Sequence, residues 1–433
     1  MGRLILIAVR NLLLNKRRSL LLGGATVAVA MLLVLLAALG AGIQDTMLKS
    51  GTAIMTGHVN VGGFYKITSG QAIPALTYSK QLLEDVREIY PDARQIVDRR
   101  RGFGKVVSNS DTILASLTGI DIMKEEVLRS VLRVAEGSLD DLANPRTIML
   151  FEPQAERLNV AVGDEVTLSA PVMRGQNNSL DVTVAVIAKD MGLITFMSSF
   201  VSKDTIRDLY EMDADTTGVI FVYLDDEDDA EEVQDQIRAG LLDKEYRIMD
   251  RQEGPFFHKF NLVQGEDWTG QKLDVTTWED ELSGLRWTLK TVDTVTTILI
   301  GVLLVIIVVG VMNAMWINVR DRTREIGTLR AIGMGRARVL VMFVLETIIL
   351  SSVAAAVGVA LGAGITHLLN AAQIPVSRGF QIFLMSDTLR MAVSVDSAMV
   401  ALIAIPLLTT IGAFFPAMRA ANLKPVTAMH HVG

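Results

Sequence analysis

S-L-L-L-G-G-A-T-V-A-V-A-M-L-L-V-L-L-A-A-L-G-A-G-I, residues Ser19–Ile43, carries no charge. As a helix rising about 1.5 Å per residue it covers roughly 37 Å, more than the hydrocarbon core of about 30 Å. Three further apolar stretches follow in the last third of the chain: Thr294–Ile317, Val339–Leu369 interrupted by Glu346 and His367, and Ser397–Met418. The spacing is one span, a long interval, then three spans. It predicts a membrane protein with a large domain between its first and second spans. A cleaved signal peptide fits the first stretch poorly, because the apolar run is too long and lacks a clear small-residue cleavage site.

Lys and Arg near the span ends set the orientation. Arg10, Lys16, Arg17 and Arg18 precede the first span, and Arg320, Arg322, Arg324, Arg330, Arg336 and Arg338 separate the second from the third. Arg419 and Lys424 follow the fourth, whereas the loop between spans three and four holds only Arg378 and Arg390. The N-terminus, the 319–338 loop and the C-terminus are therefore expected in the cytoplasm, with the insert and the 371–392 loop outside. The charge follows this division. Residues 45–290 hold 42 of the 48 acids and 26 of the 41 bases, a net of −16, and the remainder carries +9. No basic face for nucleic acid is expected. The absence of cysteine removes disulfides, thiolate catalysis and cysteine metal sites.

The expected layout is an N-terminal cytoplasmic interfacial helix over 1–18, a first span over 19–43 and an outer domain over 44–290. A second span over 291–318, a cytoplasmic helix over 319–338, a third span over 339–370, an outer loop over 371–392, a fourth span over 393–418 and a tail over 419–433 complete it. The fold class is α-helical membrane protein with a large α+β outer domain. In that domain His58–Val61, Thr112–Leu117, Thr147–Phe151, Glu165–Ala170, Val182–Ala188 and Gly218–Leu224 read as strands. Lys80–Ile89, Met123–Val134 and Ala230–Ala239 read as helices. A portion over 120–205 reads as a second subdomain inserted into the first.

Several features have a plain and a sharper reading. The acids Asp225–Asp229 suit a solvated helix N-terminus and lack the spaced pattern of a calcium loop. Trp268 and Trp278 read as packing residues, and Trp287 as an interfacial anchor. The polar segment Ser169–Ser179, with Pro171, Arg174 and Gly175, is an exposed hairpin tip or a contact loop for a soluble partner. Glu346, inside an apolar span, needs a partner. Arg338 or Arg336 is the expected one, forming a structural ion pair, with a proton relay as the alternative. In the 319–338 loop, Ile326, Leu329, Ala331 and Ile332 form a small apolar face, and Gly327, Gly333 and Gly335 permit close approach or a turn. This predicts a short amphipathic helix at the membrane surface.

R-T-R-E-I-G-T-L-R-A-I-G-M (Arg322–Met334), F-V-L-E (Phe343–Glu346), G-V-A-L-G (Gly358–Gly362) and P-A-M-R-A-A-N-L-K-P-V-T-A-M (Pro416–Met429) together resemble the permeases of the MacB/FtsX/LolC-LolE superfamily of ABC transporters. The opening A-V-R-N-L-L-L-N-K-R-R-S-L-L (Ala8–Leu22) is similar as well. T-G-H-V-N-V (Thr56–Val61), L-T-G-I-D (Leu117–Asp121) and L-N-V-A-V-G-D-E-V-T-L (Leu158–Leu168) resemble the lipoprotein-releasing branch. The resemblance implies a non-catalytic permease in a bacterial inner membrane, with its large domain in the periplasm. It implies two copies of an ATPase subunit that bind ATP and Mg, no cofactor in this chain, and a second permease copy, identical or paralogous. It further implies membrane lipid, a lipoprotein substrate and a periplasmic carrier as partners. Arg324, Glu325, Ile326, Gly327, Leu329, Arg330, Ala331, Ile332 and Gly333 would form the ATPase-coupling helix. The outer domain would have one near-ferredoxin-like α+β part and one mostly β part. Work would pass by mechanotransmission rather than through a pore. The alternatives are a MacB-like efflux permease for small molecules or peptides and an FtsX-like regulator of a cell-wall hydrolase. No G-x-x-x-x-G-K-[ST], G-x-S-x-G or H-E-x-x-H occurs in the sequence.

Overall fold

A computed structural model describes residues 2–68, 71–172, 176–252, 254–377, 381 and 384–423. Four of its helices are long and apolar enough to cross a membrane: Ser19–Ile54, Ser283–Asp321, Arg336–Ala371 and Val395–Ala421. The helices of spans one and two extend past the apolar runs, into Ile54 and back to Ser283. The chain divides into a helical unit, residues 1–45, 290–374 and 389–433, and a head, residues 46–289 and 375–388.

The helical unit packs through small residues. Its core draws Ala30, Leu33 and Val34 from span one, Ile307, Val311 and Met315 from span two, Val339, Met342 and Phe343 from span three, and Ala401, Ile405 and Ala413 from span four. A Cβ on Gly358 would lie 2.5 Å from Ala30 Cβ and 2.7 Å from Val27 O, and one on Gly362 would lie 2.9 Å from Val34 Cβ. This glycine pair, one turn apart, lets spans one and three approach backbone to backbone, as small residues do between membrane helices. Pro406 sits inside the fourth span, where the Thr410 hydroxyl donates to its carbonyl at 2.6 Å.

In the head, β1 (Val59–Thr68) pairs with β13 (Gly270–Thr277) and β12 (Val219–Tyr223), and β12 pairs with the first half of β4 (Gln95–Val107), all antiparallel, while short β2 (Gln71–Ile73) adds to β1, and β3 (Leu76–Thr77) pairs with β11 (Thr216–Thr217). Helices Ser79–Ile89 and Ala230–Asp243 cover one face of this sheet. Leu82, Val86, Val233 and Ile237 meet Val59, Val61, Ile220 and Val222 there. This is the α+β part.

The second half of β4 turns at Ser108–Asp111 into β5 (Thr112–Ile120) and starts a second core. β5 pairs with β10 (Ser198–Ser202), β10 with β7 (Thr147–Phe151), β7 with β9 (Asn177–Ala188), β9 with β8 (Glu165–Pro171), and β8 returns to β4. These six strands close a barrel, which removes its edges. Ile113, Ala115, Leu117, Ile148, Leu150, Val166, Leu168 and Val184 fill it, with Ile206 and Leu209 from helix Lys203–Tyr210. The core runs from Val106 to Leu209, wider than the 120–205 insertion expected, because β4 belongs to both parts. The helix expected over Met123–Val134 shrinks to Glu126–Val131, since Val134–Gly137 pairs with β9 as an edge strand, β6. Gly137, at φ 85°, is a conformation that side chains disfavour.

Candidate functional site

Two clusters of buried charge mark where the helices are held, one in each unit. The first gathers around Glu346. Arg322, just past the end of span two, donates through Nη1 to both Glu346 oxygens at 3.1 and 3.0 Å, and through Nε to Glu325 at 2.9 Å. Asn11, on helix Gly2–Leu14, donates to Glu346 Oε1 at 2.7 Å. The Phe343 ring centroid lies 5.4 Å from the guanidinium. Arg322 and Glu346 are both buried. A buried ion pair is tolerated only when its remaining donors and acceptors are also bonded, and here Asn11 and Glu325 take them. The N-terminal helix and the turn between span two and the short helix Thr323–Ala331 therefore meet on the carboxylate of span three, and Glu325 of the short helix joins them through Arg322.

The expected Arg338 partner is overturned. Arg338 is exposed, and it precedes Glu346 by eight residues on the same helix, about 12 Å along the axis. Only (i, i+3) and (i, i+4) neighbours on a helix reach each other. His367 is exposed near the far end of that helix.

The apolar face expected on the cytoplasmic loop also divides. Ile326 and Gly327 are buried and Leu329 packs against the helical core, so these residues hold the helix Thr323–Ala331 down. Arg330 Nη1 donates to the carbonyls of Ala421 and Leu423 at 2.9 and 2.6 Å, fastening it to the end of span four. Arg324, Glu325 and Ala331 are exposed, and Ile332 is 80% exposed. Gly333, at φ 103°, ends the helix.

The second cluster lies within the head, at the end of the helix Lys16–Ile54, and sequence reasoning missed it. Arg99 is fully buried. Its Nε and Nη2 donate to the two oxygens of Glu125, each at 2.8 Å. Its Nη1 and Nη2 also donate to the carbonyls of Ile54 and Ala53 at 3.1 and 2.8 Å. Those carbonyls end the helix Lys16–Ile54, where the last four have no intrahelical partner and the dipole favours a cation. Tyr223 receives from Arg99 at 3.1 Å, and burial pushes its phenol well above the usual range. Arg101 Nη2 donates to Met55 O at 3.1 Å, and Arg100 donates to the carbonyls of Thr216, Lys203 and Ala214. Three consecutive arginines thus bind main chain. The available signal was the R-R-R run inside a strand of an acidic domain.

His58 sits beside this joint. Its Nδ1 accepts from Leu224 N at 3.0 Å. Burial first, and the Arg94 charge second, bring its pKa from 6.5 down to about 4. The folded head therefore keeps His58 neutral where the unfolded chain protonates it. Stability contributed by this site is full above pH 6.5 and falls as pH drops toward 4, by up to about 3 kcal/mol. Thermal unfolding of the full chain and of His58→Gln between pH 7 and 4.5 checks this. The wild type is expected to lose more stability on acidification than the variant.

Other expected positions are accounted for singly. Pro171 closes the β8–β9 ladder opposite Asn177, while Arg174 and Gly175 lie outside the described residues. Asp226 accepts from Asp228 N at the entry to helix Ala230–Asp243. Trp268 is buried against Phe64, Met249 and Val263, and Trp278 Nε1 donates to Glu227 O. Trp287 is 73% exposed.

The MacB-like periplasmic core domain matches residues 20–239, more than half of the chain, and the FtsX-like permease C-terminal domain matches residues 297–425. The chain belongs to the MacB/FtsX family of ABC-type permeases. Among curated relatives, the permease is 30% identical over 142 residues to a protein of Bdellovibrio bacteriovorus, and 32% over 149 residues to one of Agrobacterium fabrum. Both are named macrolide export ATP-binding/permease protein MacB. The matches cover 33% and 34% of this permease but only 19% and 21% of those relatives. The permease thus spans about a fifth of the length of the curated relatives it matches. Among solved structures it is similar to the periplasmic region of MacB from Actinobacillus actinomycetemcomitans, with a TM-score of 0.33 and 11% identity, covering 55% of this chain and 97% of that one. It is also similar to the extracellular domain of the noncanonic ABC-type transporter YknZ from Gram-positive bacteria, with a TM-score of 0.30 and 12% identity, covering 49% and 98%.

Proposed function

We propose that this permease is the non-catalytic membrane subunit of a mechanotransmission ABC transporter in a bacterial inner membrane. Two copies pair, and two separate ATPase subunits dock on the 323–333 segment. ATP binding there moves the spans, and the movement reaches the head outside. The observation that carries this reading is the Glu346 cluster. It ties the short helix Thr323–Ala331 to spans two and three and to the N-terminal helix through Arg322 and one buried carboxylate, so a push on the helix moves all of them. Arg99 supports the same reading at the head, because it clamps the end of the helix that contains span one.

The cargo is an acylated lipoprotein taken from the outer leaflet and passed to a periplasmic carrier. The motifs Thr56–Val61, Leu117–Asp121 and Leu158–Leu168 support this choice by their likeness to lipoprotein-releasing permeases. A second reading, export of small molecules or peptides, is favoured by the macrolide-export names of the curated relatives. The experiment reconstitutes the permease with its ATPase in vesicles that hold radiolabelled lipoprotein and supplies the carrier outside. ATP-dependent appearance of label on the carrier is expected. Retention of label, with ATP-dependent movement of a macrolide in its place, overturns lipoprotein release and selects the second reading.

A further inference from the structure

The loop between spans three and four carries a feature that neither cluster explains. Pro375–Thr388 belongs to the head. Pro375 bridges Thr388, and Val376 N donates to Asp387 O at 2.8 Å, so the described ends of this segment are held together. Met385 is 2% exposed, so the segment buries an apolar side chain. Beside it, Asp387 meets two cations at once. Arg133 Nη1 donates to Oδ1, and Lys189 Nζ to Oδ2 at 3.3 Å. The same Nη1 lies 3.3 Å from Thr388 Oγ1.

Both cations come from one place in the barrel half of the head. Arg133 immediately precedes the edge strand β6 and Lys189 immediately follows β9, its partner strand. Lys189 N donates to Arg133 O at 2.8 Å, which fixes the two side chains next to each other. Two positive groups held together at a sheet edge repel unless an anion lies between them, and Asp387 is that anion. Its side chain is 16% exposed, against 30% for Arg133 and 43% for Lys189. A pair at this depth keeps partial access to water, so salt can screen it.

We propose that Asp387 is a positioning residue that fastens the loop between spans three and four to the barrel half of the head. The barrel then has an attachment separate from its connection to the α+β part through β4. Under the transport reading above, on which this consequence rests, spans three and four gain their own hold on the barrel during the ATP cycle.

The test uses the full chain in nanodiscs and follows amide hydrogen exchange. In Asp387→Asn, peptides over 384–390 and 132–137 are expected to exchange at least about tenfold faster, while Thr147–Phe151 in the barrel keeps its protection. High salt should produce the same acceleration in the wild type and little more in the variant. The charge swap Arg133→Asp, Lys189→Asp, Asp387→Lys should restore protection, which separates lost fastening from lost folding. Unchanged exchange in Asp387→Asn, or a swap that restores nothing, overturns the fastening. ATP-driven release is measured in parallel, where Asp387→Asn is expected to fall at least about fivefold. Faster exchange with undiminished release overturns the mechanical part alone. Exchange needs no ATPase, so its outcome stays distinct from a failure of the transport reading, which would show as absent release in the wild type.

Discussion

Replacing Arg99 by alanine is expected to destabilise the head by roughly 3–5 kcal/mol, because it leaves Glu125 buried without its cation. The carbonyls of Ala53 and Ile54 lose their donors in the same step, and Tyr223 loses one of its partners. For a domain of this size the loss corresponds to a fall in melting temperature on the order of 10 °C. Thermal unfolding of the full chain measures it. The double variant Arg99→Met, Glu125→Gln should recover a large part, since removing both charges avoids the unpaired carboxylate. A single variant that melts within a degree or two of the wild type would show that the joint at the end of the helix Lys16–Ile54 is held by other contacts. Under the transport reading, the same variant also uncouples the head from span one, so any folded fraction should hydrolyse ATP with its ATPase and release little cargo.

The second large effect is expected at Ile332. With 80% of its surface exposed beside the fastened helix Thr323–Ala331, this isoleucine offers an apolar surface that the described residues leave uncovered. Ile332→Asp should leave folding and membrane insertion intact, since exposed substitutions rarely change stability by more than about 0.5 kcal/mol. Under the transport reading, it should weaken association with the ATPase by roughly 30-fold or more, the loss of about 2 kcal/mol typical of a central interface residue. Quantitative co-purification with the ATPase reads this directly. Ile326→Asp gives the contrasting control. Ile326 is 1% exposed in the helical core, so a charge there should collapse the base of the bundle and lower the yield of folded protein. Equal loss of ATPase binding in both variants, with equal loss of folding, would contradict the division of that face.

The spans were legible because a run such as Ser19–Ile43 has no charge, and hydropathy over that length allows little else. Strands such as Thr147–Phe151 were legible for a similar reason: every residue of it is buried, and the run is apolar and bounded by turns. The barrel was not. Its closure depends on Lys105–Val107 pairing with Thr167–Ser169, a contact between distant segments that leaves no local period. Nor was the Arg99 cluster, because a fully buried arginine is recognised only when its carboxylate and carbonyl partners arrive from Glu125 and Ala53–Ile54. Glu346 shows the same limit from the other side. Its need for a cation was plain in the sequence, but the nearest cations along the chain stood on its own helix beyond reach, and Arg322 became the partner through packing. On the cytoplasmic loop the apolar residues were visible as a group, whereas which of them face the core and which face water was settled by Arg330 binding the end of span four.

The account depends on the head and the Thr323–Ala331 helix lying on opposite sides of the membrane. The chain contains no cysteine, so single thiols can be placed without background. Asp243→Cys on the head and Thr328→Cys on the short helix are both exposed positions. A membrane-impermeant maleimide added to intact spheroplasts should label the first and spare the second until the cells are opened. Labelling of Thr328→Cys in intact spheroplasts with protection of Asp243→Cys would contradict the account.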